Sequence, residues 1–195
     1  MTFLEIGPGD CALSFEVCRH VDRVVAIDVS GEIAHSQQAP PNFQLVLSNG
    51  TSIPVEPSGI DLAYSNQLME HLHPDDALEQ VQHVFHALKP GGRYVCITPN
   101  RLSGPHDISK YYDPVARGFH LREYSVTDLT KLFARVGFSR MELYIGARGW
   151  YLSVPLRPMI TLEAILDRLP HWFRLRLLRM LPLAHLLGIR MVAVK

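Results

Sequence analysis

The chain has 195 residues, of which 47 % are hydrophobic and 19 % charged. Those proportions exclude a disordered or fibrous chain, and the length suits one domain that buries roughly 70 % of its unfolded surface. Nineteen basic and nineteen acidic residues cancel, which removes any global attraction to nucleic acid.

Apolar runs of strand length alternate with helix-length segments. Residues 2–5 form a short apolar run that ends in Gly7-Pro8-Gly9. A helix is expected over 10–20, and a β-branched strand over 23–28 that closes on Asp28. Residues 43–47, 60–65 and 94–98 are further strands. Between them, residues 75–88 place Ala77, Leu78, Val81, Val84, Phe85 and Leu88 on one helical stripe, which Lys89-Pro90-Gly91-Gly92 terminates. Ser125-x-x-Asp128 opens a helix over 125–136 that stops at Gly137. Strands over 140–145 and 189–194 bring the set to about seven. Such alternation predicts an α/β fold around a mostly parallel sheet, with ligands beyond the carboxyl ends of its strands.

Cys11, Cys18 and Cys96 have no CxxC spacing and read as buried thiols of a reducing compartment. The start lacks a signal-peptide pattern, and no uninterrupted apolar stretch reaches about 18 residues, so the expected location is cytoplasmic. The chain opens almost on its first strand, which leads us to expect a helix upstream of residue 1.

Gly7 and Gly9 lie in a turn between strand and helix, where glycine lets a ligand approach the backbone. About 20 residues on, the carboxylate of Asp28 can accept both hydroxyls of a ribose. Together they point to a nucleoside-containing ligand. Gly7-x-Gly9-x-x-Ala12 also satisfies a loose dinucleotide fingerprint. No Tyr-x-x-x-Lys pair supports an oxidoreductase.

Glu5-Ile6-Gly7-Pro8-Gly9 resembles the first motif of class I S-adenosylmethionine (SAM) methyltransferases, with Cys11 at the usual third glycine. Ser48-Asn49-Gly50-Thr51 resembles the family's adenine-contacting segment, with Asn49 in place of an aspartate. Residues 60–65 look like its fourth strand, and Leu88-Lys89-Pro90-Gly91-Gly92 like the turn into its fifth. The resemblance covers residues 2–145. It implies a Rossmann-like three-layer sandwich, with a seven-stranded sheet in the order 3-2-1-4-5-7-6 and an antiparallel last strand. It also implies transfer of the SAM methyl group, leaving S-adenosylhomocysteine (SAH). Glu5 would orient the loop, Gly7 and Gly9 would cradle the amino-acid part, and Asp28 and Val29 would meet the ribose. Asn49 and Gly50 would lie by adenine, and Ser65 and Asn66 by the methyl-bearing end.

After the fourth strand the chain reads Gln67-Leu68-Met69-Glu70-His71, without the Asn/Asp-Pro-Pro-aromatic run of nucleobase methylating enzymes. That argues against a base-flipping enzyme, and the run resembles the small-molecule branch. Ubiquinone-type O-methyltransferases carry a related Glu-x-x-Glu-His for a divalent cation. Gln67 stands at its first acid, so no metal site is assigned. Gly118-Phe119-His120-Leu121-Arg122-Glu123-Tyr124-Ser125 resembles a segment of methyltransferases acting on sugars and lipids. His120 is the first candidate base, followed by His106 and His71. Arg101 and Arg122 are candidates for an anionic acceptor. His20, His35, His83 and His86 read as solvent-facing.

Residues 151–195 hold 7 basic and 2 acidic side chains, against 12 and 17 in residues 1–150. Residues 150–188 read as a helical basic and apolar insertion or cap between the last two strands of a single domain, entered irregularly at Trp150. Arginines interleaved with Trp172, Phe173 and leucines also fit contact of residues 171–187 with a membrane surface. The expected activity is methyl transfer to a hydroxyl of a small molecule, glycan or lipid precursor. The alternative is a catalytically degenerate binding module.

Overall fold

The computed structural model describes residues 1–31, 39–147, 149–180 and 188–195. Its sheet has eight strands: β1 (Thr2–Ile6), β2 (Arg23–Asp28), β3 (Phe43–Leu47), β4 (Ile60–Asn66), β5 (Leu88–Thr98), β6 (Arg140–Ala147), β7 (Trp150–Val154) and β8 (Ile189–Val194). The order is β3-β2-β1-β4-β5-β8-β6-β7. β1 to β5 run parallel, and β8 inserts antiparallel between β5 and β6. The last strand therefore sits where the resemblance placed it.

One strand was not expected. Residues 150–154 are β7, paired antiparallel with β6 at the sheet edge, and not an irregular lead-in. Trp150, Tyr151 and Val154 favour extended backbone, and Pro155 ends the strand. Gly146 permits the tight return, because a Cβ there would collide with the Trp150 carbonyl oxygen.

Alternation along β1 explains how a mostly apolar strand serves two faces. Leu4 and Ile6 enter the main core with Val81, Val84, Leu129 and Phe133, which come from helices α2 (Pro74–Ala87) and α3 (Val126–Val136). Phe3 enters a second cluster with Cys18 and Val24, beside Val17 of the short helix α1 (Ala12–Val17). Phe133 packs edge-on to Tyr94 at 5.6 Å between ring centres, and Phe138 to Phe85 at 5.0 Å. The expected capping box is present: Ser125 Oγ accepts from the Asp128 amide, and Asp128 accepts from the Ser125 amide.

Helices α4 (Leu156–Asp167) and α5 (His171–Met180) fill the segment before β8. Leu166 and Leu178 close on Leu102, just beyond β5. Glu163 is buried and accepts from Asn100 Nδ2, the Val126 and Thr127 amides and the Thr127 hydroxyl. Arg101 grips Asp167 with two hydrogen bonds of 2.9 Å. Arg174 is not a water-facing arginine. It is buried, and its Nε donates to the Leu102 carbonyl at 3.0 Å. Trp172 and Phe173 are exposed, while residues 181–187 of the expected membrane-contacting stretch lie outside the described residues. Among the described residues no helix is long and apolar enough to cross a membrane.

The loop from β5 to α3 is folded around Asp107. Its carboxylate accepts from the amides of Ser109, Gly118 and His120 at 2.9, 2.8 and 3.3 Å. Burial opposes ionisation of Asp107, but these donors and the Ser109 hydroxyl outweigh it and hold its pKa at about 2. Asp107→Ala is expected to lower the unfolding free energy by roughly 1–3 kcal/mol in urea denaturation. The folded pKa lies below the unfolded value of 3.8, so this contribution stands above pH 4 and fades as pH falls toward about 2. The gap between wild type and variant should narrow over that window; a gap that stays constant there would contradict the role given to Asp107.

Candidate functional site

Parallel strands end together on one side of the sheet, and a cleft lies there. Ile6 and Gly7 close β1, Asp28 and Val29 close β2, and Ser48, Gly50 and Ser52 follow β3. Leu68 and Gln80 complete the wall around a space of about 70 Å³. That volume takes one part of a nucleoside and leaves the rest along the open strand ends.

Glu5 lies beneath the glycine turn. It is buried and accepts a 2.5 Å hydrogen bond from Ser14 Oγ of α1. Burial raises its pKa, against the lowering effect of the Ser14 bonds. The contact ties the tip of β1 to α1, and so fixes the loop between them. Gly7 has φ +69°, and a Cβ there would sit 3.3 Å from Leu68 Cδ1. Its amide donates to the Ile27 carbonyl at 2.9 Å. Gly9, at φ +55°, faces open space. Cys11 adopts φ 60° as a non-glycine, so the position keeps the left-handed backbone without the glycine usual in the family it resembles.

Asp28 lines the cleft and accepts from the Ser30 amide at 2.9 Å. Exposed Val29 lies beside it. Asn49 departs from its expected role. Its carbonyl oxygen accepts from the Thr51 and Ser52 amides at 3.1 and 2.9 Å, an Asx turn that spends the atom meant for adenine. Gly50 does line the cleft. The Ser65 hydroxyl does not reach it. Ser65 is fully buried and pairs with Tyr94 Oη at 2.7 Å, because alternation turns its side chain into the core with Ala63. Asn66 is exposed at the end of β4.

Gln80 was not singled out in the sequence. It is buried, lines the cleft and donates through Nε2 to the Gly50 carbonyl at 2.6 Å. Its Oε1 is buried and has no hydrogen-bond partner among the described residues. A usable signal existed: position 80 falls on the apolar stripe with Ala77 and Val84, where a polar residue is out of place. One turn on, His83 is half-buried and not solvent-facing, with Nδ1 at 3.0 Å from the Thr51 carbonyl. His20 and His86 are exposed as expected, and His35 lies outside the described residues.

Directly after Leu68, a 3-10 turn over Met69–His71 carries the second part of the site. The Glu70 carbonyl accepts from the Leu121 and Arg122 amides at 2.8 and 3.2 Å, which draws His120 alongside. His71 and His120 rings meet edge to face at 5.0 Å. His120 is 8 % exposed, and its Nδ1 lies 2.7 Å from Glu123 Oε1. His71 is exposed, with Nδ1 at 3.0 Å from the Phe119 carbonyl. Glu70 is fully buried. Its Oε2 accepts from Thr98 Oγ1 at 2.9 Å, and Oε1 has no partner among the described residues. One side-chain nitrogen or oxygen from each of Glu70, His71 and His120 lies within 4.8 Å of the other two. Gln67 is exposed. His106 is not among the three clustered residues. Its ring is held by Ser103 Oγ and the Asn100 carbonyl at 3.0 and 3.1 Å, a loop anchor. Arg101 is committed to Asp167. Arg122 stacks on Tyr124 at 5.1 Å and lies 3.9 Å from Asp128.

Residues 1–143 match the family model described as a methyltransferase domain. A protein of Mycolicibacterium smegmatis, named a probable S-adenosylmethionine-dependent methyltransferase, is 29 % identical over 136 residues, which are 69 % of this chain and 51 % of that protein. The chain thus spans about half the length of the curated relative it matches. A SAM-dependent methyltransferase of Archaeoglobus fulgidus superimposes with a TM-score of 0.63 at 18 % identity, covering 100 % of this chain and 86 % of that one. A Burkholderia thailandensis N1-methyltransferase, solved with 1,6-didemethyltoxoflavin and SAH bound, gives 0.60 at 18 % identity, over 100 % and 70 %. These structural likenesses establish the fold. With the family match, they place the chain in the methyltransferase-domain family, in its class I SAM-dependent form.

Proposed function

We propose that the chain methylates a hydroxyl oxygen of a small molecule, glycan or lipid precursor. SAM, when bound, supplies an electrophilic methyl carbon, and the acceptor oxygen displaces the sulfur in line. The chain's own task is then to bind, align and ionise. Gly7 and Gly9 offer backbone to the amino-acid part, and Asp28 offers a carboxylate to the ribose. Gln80 Oε1, buried in the cleft without a partner, fits the exocyclic amino group of adenine, a role that Asn49 can no longer fill. The orphaned oxygen is the sign that the cleft fits this cofactor.

The observation that carries the acceptor assignment is the Glu70–His71–His120 cluster, which begins two residues beyond the Leu68 wall. Acceptor-type atoms converge there, and a hydroxyl proton can be drawn off. His120→Asn is expected to cut methyl transfer by about 100-fold or more while SAH affinity holds within about twofold. Calorimetry with SAH and labelled methyl transfer to a panel of hydroxyl acceptors would show it. Loss of SAH binding in that variant would remove His120 from the acceptor role. Binding of SAH by the wild type, with no turnover on any acceptor, would favour the degenerate binding module instead.

Gln80→Met should weaken SAH by about tenfold, the value of one buried hydrogen bond. The wild type should also discriminate against the inosine analogue of SAH, which lacks the amino group, and the variant should lose that discrimination. Equal discrimination by both proteins would count against adenine contact by Gln80.

A further inference from the structure

We infer that Glu70, His71 and His120 bind one divalent transition-metal ion of the zinc or cobalt type. The inference rests on the reading of this cluster as the acceptor end, and it supplies the means by which a hydroxyl ionises there.

The hydrogen bonds around the three residues settle which atoms are free. A carbonyl oxygen only accepts, so the 3.0 Å contact with Phe119 makes His71 Nδ1 a donor. The carboxylate of Glu123 likewise makes His120 Nδ1 a donor at 2.7 Å. Each ring then keeps a lone pair on Nε2. Glu70 donates nothing as a carboxylate. Its Oε2 is satisfied by Thr98, and its Oε1 is buried and unpartnered. One ligand atom of each residue lies within 4.8 Å of the other two, and the atoms these bonds leave free are all acceptors. Such an arrangement repels itself, and a buried carboxylate oxygen without a donor is costly. A cation between them reverses both effects.

The donor set also selects the ion. Two imidazole nitrogens and one carboxylate oxygen suit zinc or cobalt better than magnesium or calcium, which take oxygen ligands. Three protein ligands leave a position open for an acceptor oxygen. Metal–ligand distances of about 2.0–2.2 Å require the three atoms to approach more closely than their 4.8 Å limit. Of the three, Glu70 and His120 are buried and His71 is exposed, so the approach falls to the His71 side chain. Their outer partners, Thr98 for Glu70 and Glu123 for His120, orient them as metal ligands are usually oriented. A hydroxyl bound at the open position would ionise more readily and release its proton to water, with His120 serving as ligand. Gln67 is not needed, because His120 arrives from a loop some fifty residues on.

The test is calorimetric titration of Zn²⁺ into the chelator-treated full chain, with Co²⁺ absorption to read ligation. One ion per chain is expected. Glu70→Gln, His71→Ala and His120→Ala should each weaken it by more than about 100-fold, and Glu123→Gln by roughly 10- to 100-fold. His20→Ala removes an exposed histidine paired with Glu16 at 3.7 Å, and should change nothing. Should the buried positions fail to fold when altered, exposed His71 still decides. A folded wild type without stoichiometric Zn²⁺ binding overturns the inference, as does Zn²⁺ binding indifferent to His71→Ala. SAH titrated in parallel separates the two proposals. SAH binding without a zinc site sinks the cation alone. A zinc site without SAH binding keeps the cation and sinks the SAM reading.

Discussion

Glu70 is the residue on which the far end of the cleft depends. Its carbonyl holds the amides of Leu121 and Arg122, and one carboxylate oxygen holds the hydroxyl of Thr98 at the end of β5. Three separate segments therefore meet at one buried acid: the turn after β4, the end of β5 and the loop before α3. A fully buried carboxylate is costly to desolvate, and a single hydroxyl donor does not offset that cost. Structural convenience alone would be served better by a glutamine, which could donate as well as accept. The acid makes physical sense where positive charge visits its second oxygen.

The sheet topology decides where that visitor would find a cofactor. β1 pairs with β2 on one side and β4 on the other, so the chain reverses its direction of travel across the sheet at β1. Loops that follow neighbouring strands then diverge, and a crevice opens between them. On the β2 side the crevice is walled by short polar loops: Asp28, Ser48, Gly50. On the β4 side it is walled by Leu68, two residues before Glu70. Gln80 and His83 of α2 clasp the loop after β3 by its carbonyls, so the two sides are braced across the crevice by direct hydrogen bonds.

Much of this was legible in the residues. β2 and β8 begin and end where their β-branched and apolar runs do, because both faces of those strands are packed or nearly so. The α3 capping box was legible because its pattern is local. The remaining differences turned on partners that residue types do not show, distant for Ser65 and local for Asn49 and β7. Ser65 and Asn49 looked like ligand contacts, but Tyr94 and the Asn49 loop's own amides had prior claim on them. Trp150 to Val154 looked irregular beside Pro155, but β6 offered an edge. The sequence assigned no metal site, because Gln67 stands at the first acid of the related motif beside Glu70 and His71. His120 lies beside that Glu70–His71 pair, brought in by main-chain bonds that no spacing reveals.

The same logic explains why the segment beyond the family match matters to the cleft. Matching ends at residue 143, yet Glu163 of α4 supplies the acceptors for the first amides of α3 and for Asn100. Asp167 and Arg174 then fix Arg101 and the Leu102 carbonyl. The loop between Asn100 and α3 carries both Asp107 and His120, so its two ends are set by α4 and α5 while its middle is folded by Asp107. The β1–β2 side of the crevice is built from the first strands and their glycines. The opposite side is held in place by helices outside the shared domain, and a change in how those helices pack would move His120 without touching the glycine turn. That division lets one cleft keep its nucleoside side while the shape of the other is set by α4 and α5.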